Sequence, residues 1–232
     1  MASIFAVIFL ILSGAWANAE GVYLSRAPQL ISILPPPPEV GSTAQRQDIA
    51  TVLIIQSSGS SERLASAVAD ATESAEQLAQ KVFGPDFRED RAPQTFALLQ
   101  RASLDMAALV HKAKNHWRRP RPFLVDSRIK SLTGRPTNFA YPSGAATLAY
   151  AFSIMLSAMV PEKQADLMAR AAEFSQSRIF VGAHYPSDIT GGQILGTYIA
   201  SALLRQPRFS KELAQAVPEL RSALGYQNAI KD

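Results

Sequence analysis

The chain has 232 residues, with 23 lysines and arginines against 19 acidic residues, three histidines and no cysteine. That length allows one domain with a substantial core. The lack of cysteine excludes disulfides, thiolate nucleophiles and thiolate metal sites, and three histidines without H-E-x-x-H spacing argue against a zinc enzyme.

Residues 1–19 carry no charged side chain, contain an apolar run from Ile4 to Leu12, and end in Ala17-Asn18-Ala19. This pattern predicts a secretory signal peptide cut after Ala19, hence a periplasmic or secreted protein with no membrane span after cleavage. Because the run has no Lys or Arg before it, an uncleaved anchor is the alternative. Residues 20–43 read as an extended Pro-rich arm, ending in polyproline geometry around Pro35-Pro36-Pro37-Pro38.

Residues 44–232 read as one helical domain. An Ala-rich helix is expected over 60–83, with Ser60 or Ser61 as N-cap and Gly84-Pro85-Asp86 as its stop. Over 93–117, Phe96, Leu99, Met106, Leu109 and Val110 fall near one helical face, and Arg119-Pro120-Arg121-Pro122 should end that helix. Residues 124–140 read as a loop with a turn at Gly134-Arg135-Pro136. Further helices are expected over 145–160, 162–178, 186–204 and 207–224. The uncharged segment 145–160 is too short to span a bilayer and reads as a buried core helix. Sustained alternation of apolar and polar residues is scarce, so the fold class is all-α, a single-domain helical bundle.

Lys112, Lys114, Arg118, Arg119 and Arg121 crowd one short stretch. Only Trp117 offers a stacking aromatic there, so the cluster fits small phosphorylated substrates or inorganic phosphate better than nucleic acid. Three blocks follow in order: Lys114 with Arg121-Pro122, then Tyr141-Pro142-Ser143-Gly144, then Ser177-Arg178 with His184 and Asp188. Cations, a Ser-Gly turn, one histidine and one aspartate suit phosphoryl transfer without a metal or other cofactor.

These blocks resemble the signature of the PAP2 phosphatase superfamily, K-x6-RP, PSGH and SR-x5-H-x3-D. Residues 34–42 and 114–123 also resemble segments of the bacterial class A non-specific acid phosphatases, so the likeness spans most of the mature chain. Lys112 with Arg119-Pro120 fits the first block too. Lys114 with Arg121 is preferred, because Phe123 follows and His116 precedes as in that subfamily.

The resemblance implies an all-α phosphatase and a homo-oligomer. It makes His184 the nucleophile that becomes phosphohistidine, with Asp188 holding its ring. It places Lys114, Arg121, Ser143, Gly144 and Arg178 around the phosphate. The family's PSGH histidine, which protonates the leaving oxygen, is Ala145 here. General acid–base help is worth about 10²–10⁴ in rate, so turnover should suffer most with alkyl esters. His111 and His116 are the only other histidines, and their spacing from Lys114 favours neither as a substitute. Three functions therefore stand: an acid phosphatase with impaired turnover, a non-catalytic phosphate-binding protein, and a vanadium-dependent haloperoxidase.

Overall fold

The computed structural model describes residues 22–24, 30–72 and 75–226. The expected signal peptide and its cleavage point lie outside the described residues. Eight helices longer than one turn follow in order: α1 Thr43–Ser58, α2 Ser61–Thr72, α3 Ala75–Phe83, α4 Pro93–Trp117, α5 Gly144–Met159, α6 Gln164–Phe180, α7 Pro186–Arg205 and α8 Pro207–Ala223. No strand occurs among the described residues.

Helix starts follow local chemistry. The Ser42 hydroxyl accepts the Gln45 N–H at 3.1 Å, and Ser60 caps α2 through the Arg63 N–H at 3.2 Å. Proline occupies the first turn of α4, α7 and α8, where its missing N–H costs nothing. Two expectations shift. The helix expected over 60–83 is described as α2 and α3, and α1 appears where no helix was expected. The N-terminal arm also holds one helical turn, Leu30–Ile33, ahead of its prolines.

Helix α5 lies at the centre, against α6 on one side and α7 on another, with α4 and α8 closing the bundle. Its buried Phe152, Met155 and Leu156 meet Leu98 and Met106 of α4, Leu195 and Leu203 of α7, and Phe209 and Leu220 of α8. Each such side chain contributes about 1.5–3 kcal/mol on burial. The α5–α7 contact is backbone to backbone. A Cβ on Gly192 would lie 2.6 Å from the Ser143 carbonyl oxygen, and one on Gly196 would lie 2.4 Å from that of Thr147. Glycine thus lets α7 press onto the first turns of α5, bringing the starts of both helices together.

Candidate active site

The first block is split across a turn. Helix α4 ends at Trp117, and Arg118 takes a left-handed conformation (φ 48°) while its N–H bonds the Lys114 carbonyl at 2.9 Å. Such backbone is uncommon for a non-glycine residue and reverses the chain sharply. Lys114 and Arg121 therefore do not share one continuous helical face; Arg121 arrives on the returning segment, after Pro120, as the N-cap of a one-turn helix Pro122–Val125. The loop segment 138–140 straps both. Lys114 Nζ donates to the carbonyls of Phe139 and, at 3.3 Å, Ala140. Arg121 Nε donates to the Asn138 carbonyl at 3.0 Å, and its Nη2 donates to the Asn138 side-chain oxygen.

The third block faces it. Arg121 Nη1 reaches the Ala183 carbonyl at 2.7 Å and His184 Nε2 at 2.8 Å. The same Nη1 lies 3.4 Å from His184 Nδ1, so the guanidinium rests across the ring rather than on one lone pair. His184 Nδ1 lies 3.3 Å from Asp188 Oδ2, and a carboxylate oxygen only accepts, which assigns the proton of the neutral ring to Nδ1 and leaves Nε2 unprotonated. The same carboxylate oxygen accepts the Tyr185 N–H at 2.9 Å, an N3 position satisfying a free amide at the helix start. Ser143 N–H donates to the Asp188 carbonyl at 2.9 Å, tying the start of α5 to the start of α7. The Ser143 hydroxyl accepts the Ala146 N–H at 3.3 Å, so it is an N-cap whose own hydrogen is still available. Gly144 is the buried first residue of α5.

Arg178, in the last turn of α6, is buried. Its Nη1 donates to the Ala71 carbonyl at 3.1 Å, and its Nε has no partner. Beneath it sits Asp70 of α2, fully buried, bonded to Arg170, to the Ser177 hydroxyl and to Lys81 at 3.2 Å. Ser177 is thus a structural member of its motif, and Arg178 is the one turned toward the site.

Electrostatics follow from burial. His184 is 3% exposed. Burial, then the cations Arg121, Lys114, Arg178 and Arg119, push its pKa well below the ordinary imidazole value, so the ring is neutral. Burial also draws Lys114 well below the usual lysine range, and Arg121 reinforces this. Burial lowers Arg121 and Arg178 to about 10. Among the described residues none of these three cations has a carboxylate partner within ion-pair distance, and no group of three His, Asp or Glu is placed to hold a metal ion.

Lys114, Arg121, Ser143, Gly144, Arg178, His184 and Asp188 are accordingly brought to one place. Lys112 is exposed. Arg119 is buried but bound to Asp48 and Asp188, so the alternative register of the first block does not face the same point. His111 pairs with Asn115 at 2.7 Å, and His116 is exposed against the Trp117 ring. Neither histidine joins the cluster. Ala145 is half-buried and packs beside Leu78, Tyr150 and Phe174. Tyr141, Tyr185 and Phe123 are buried.

A family model for the PAP2 superfamily matches residues 97–212. The acid phosphatase relatives agree over more of the chain. A non-specific acid phosphatase of Providencia stuartii is 32% identical, covering 84% of this chain and 82% of the relative. Another from Salmonella typhimurium is 30% identical over 95% of this chain and 93% of the relative. The chain belongs to the PAP2 superfamily. Among solved structures, a bacterial vanadium-dependent iodoperoxidase superposes with a TM-score of 0.65 at 19% identity, covering 83% of this chain. The chain spans only 56% of that protein, and the likeness is one of PAP2-type fold.

Proposed function

We propose that this PAP2 protein is an exported, metal-independent acid phosphatase that hydrolyses phosphate monoesters through phospho-His184. The observation that carries the reading is the His184 ring. Its Nδ1 faces the Asp188 carboxylate, which favours the tautomer that leaves Nε2 free to attack. A phosphoryl group takes its hydrogen bonds from Arg121, whose guanidinium lies against the ring, and meets the Nε2 lone pair. The N–P bond forms as the ester P–O bond breaks, and the leaving oxygen takes its proton from water, since Ala145 has none to give. Asp188 holds the charge that develops on the ring. Lys114, Arg121, Arg178 and the amides at the start of α5 hold the phosphoryl oxygens. Water then attacks phosphorus, the N–P bond breaks, and inorganic phosphate leaves.

Export rests on the pattern of residues 1–19, and a homo-oligomer on the resemblance of residues 34–42 to class A acid phosphatases. Sequencing the N-terminus of protein recovered from the periplasm tests the first, expecting Glu20; light scattering tests the second. One observation favours a non-catalytic phosphate binder instead: Ala145 lies beside apolar neighbours, and no other histidine takes its place.

The deciding experiment compares aryl and alkyl phosphate hydrolysis by the mature chain, His184→Ala and Ala145→His, in the presence of a chelator. Aryl turnover in the parent, lost in His184→Ala, supports the phosphatase. Ala145→His should raise the alkyl rate by about 10²–10⁴. A silent parent that binds phosphate and is revived by Ala145→His would establish the binding protein.

A further inference from the structure

Behind His184 lies a second buried charged group that the phosphate chemistry does not use. Arg119, 4% exposed, extends its fork between two elements. Its Nη1 donates to Asp188 Oδ1 at 2.6 Å and to the Ser187 hydroxyl at 2.6 Å, both in the first turn of α7. Its Nη2 donates to Asp48 Oδ2 at 2.7 Å and to the Gln45 side-chain oxygen at 2.6 Å, both on α1. The guanidinium lies 4.0 Å over the Tyr185 ring, and Asp48 also accepts the Ser187 N–H at 3.2 Å.

We infer that Asp48 and Arg119 are positioning residues: a carboxylate–guanidinium pair that holds Asp188, and through it the His184 ring, in register with the phosphate cations. The inference rests on the reading of His184 as nucleophile. Its logic lies in the two oxygens of Asp188. Oδ1 is held by Arg119, so Oδ2 alone faces His184 Nδ1. With Oδ1 held by Arg119 and Oδ2 by the Tyr185 N–H, the carboxylate cannot rotate, and the imidazole plane is fixed with it. Asp48 supplies the second anion, which neutralises Arg119 and ties α1 to the start of α7. A planar fork is needed, because a lysine cannot bond two carboxylates on opposite sides in fixed geometry. The doubled Arg-Pro of the first block thus has divided work: Arg121 faces the phosphate, and Arg119 the carboxylate behind the nucleophile.

The test uses the full mature protein with Arg119→Lys, Asp48→Asn and the double variant, checked for folding by thermal melting. Two readouts are taken: aryl phosphate kinetics, and the tautomer and titration of His184 by nitrogen-labelled NMR. The titration is read with Asp188, Arg121, Lys114, Arg178 and Arg119 all facing the ring. Partners that orient a working histidine are worth about 10- to 100-fold, so each single variant should lose that much kcat with KM near the parent value. The double variant should lose little more than Arg119→Lys, since both residues serve one device. The His184 Nδ1–H tautomer, unique in the parent, should become mixed in both.

Parental kcat and an unmixed tautomer in folded Arg119→Lys would overturn the inference, because charge alone would then suffice. If Arg119→Lys does not fold, Asp48→Asn decides by the same two readouts. If the parent does not turn over aryl phosphate, the function reading fails separately, and the His184 tautomer still decides the relay.

Discussion

Two sets of buried cations in this protein are treated in opposite ways. Arg119 and Arg170 are each matched to carboxylates, Arg119 to Asp48 and Asp188, Arg170 to Asp70. Burial opposes their charge, yet those carboxylates hold both above the ordinary arginine pKa. Lys114, Arg121 and Arg178 are instead offered carbonyl oxygens, a side-chain amide and an imidazole. Burial lowers all three. The paired arginines hold helices together. The unmatched ones keep a local excess of positive charge that only an incoming anion neutralises, which separates scaffold from site more sharply than burial or residue type does.

The contrast can be broken at its scaffold end first. Asp70→Ala removes the buried carboxylate that Arg170, Ser177 and Lys81 share, and removing one partner of a buried pair costs about 3–5 kcal/mol. Urea unfolding should show that loss; an unchanged midpoint together with lost activity would move Asp70 into the site. Next comes Arg121→Met. It should cut kcat/KM for an aryl phosphate by about 10²–10³ while leaving the melting temperature at or above the parent's, because a buried cation without an anion is removed. A marked fall in melting temperature would place Arg121 with the scaffold.

Inorganic phosphate should stabilise the protein by about 2.7 kcal/mol at a hundredfold its dissociation constant. That gain, read by thermal shift, should vanish in Arg121→Met and persist in Ala145→His. The smallest effect concerns acid. His184 has a folded pKa below its unfolded value, so it contributes nothing above the ordinary imidazole pKa, and stability falls as pH drops through that value, when the unfolded chain takes up the proton. The slope is at most about 1.4 kcal/mol per pH unit for one proton. The difference between parent and His184→Gln, measured from pH 7 to 5, isolates it, and parallel curves would refute a neutral buried ring.

Much of the helical order could be read from the chain because proline, glycine and serine mark its ends: the helices expected from 93, 186 and 207 open at Pro93, Pro186 and Pro207, and Ser60 caps as expected. Helix α1 escaped notice because its apolar residues do not form a clear stripe, although Ser42 followed by Gln45 is a capping signal. At the site, residue type and spacing reveal the groups that meet phosphate. They do not reveal Asn138, whose contribution is partly a backbone carbonyl that every residue has. Nor do they reveal Asp48, whose distance in sequence from Asp188 leaves no periodic trace. Arg119 was visible only as a rival register for Arg121. The turn at Arg118, which sends the two arginines to different carboxyl and phosphate tasks, is a backbone event that no side-chain pattern encodes.

The contact of Arg121 with the His184 ring sets a threshold for admission. A newcomer gains the arginine only by being a better acceptor than a neutral imidazole already in place. A doubly charged phosphate ester clears that threshold easily, and a singly charged diester does so by far less. A neutral alcohol or amide gains nothing by trying. The same contact therefore acts as a charge sieve, sorting ligands by their anionic strength before the shape of their organic portion is consulted.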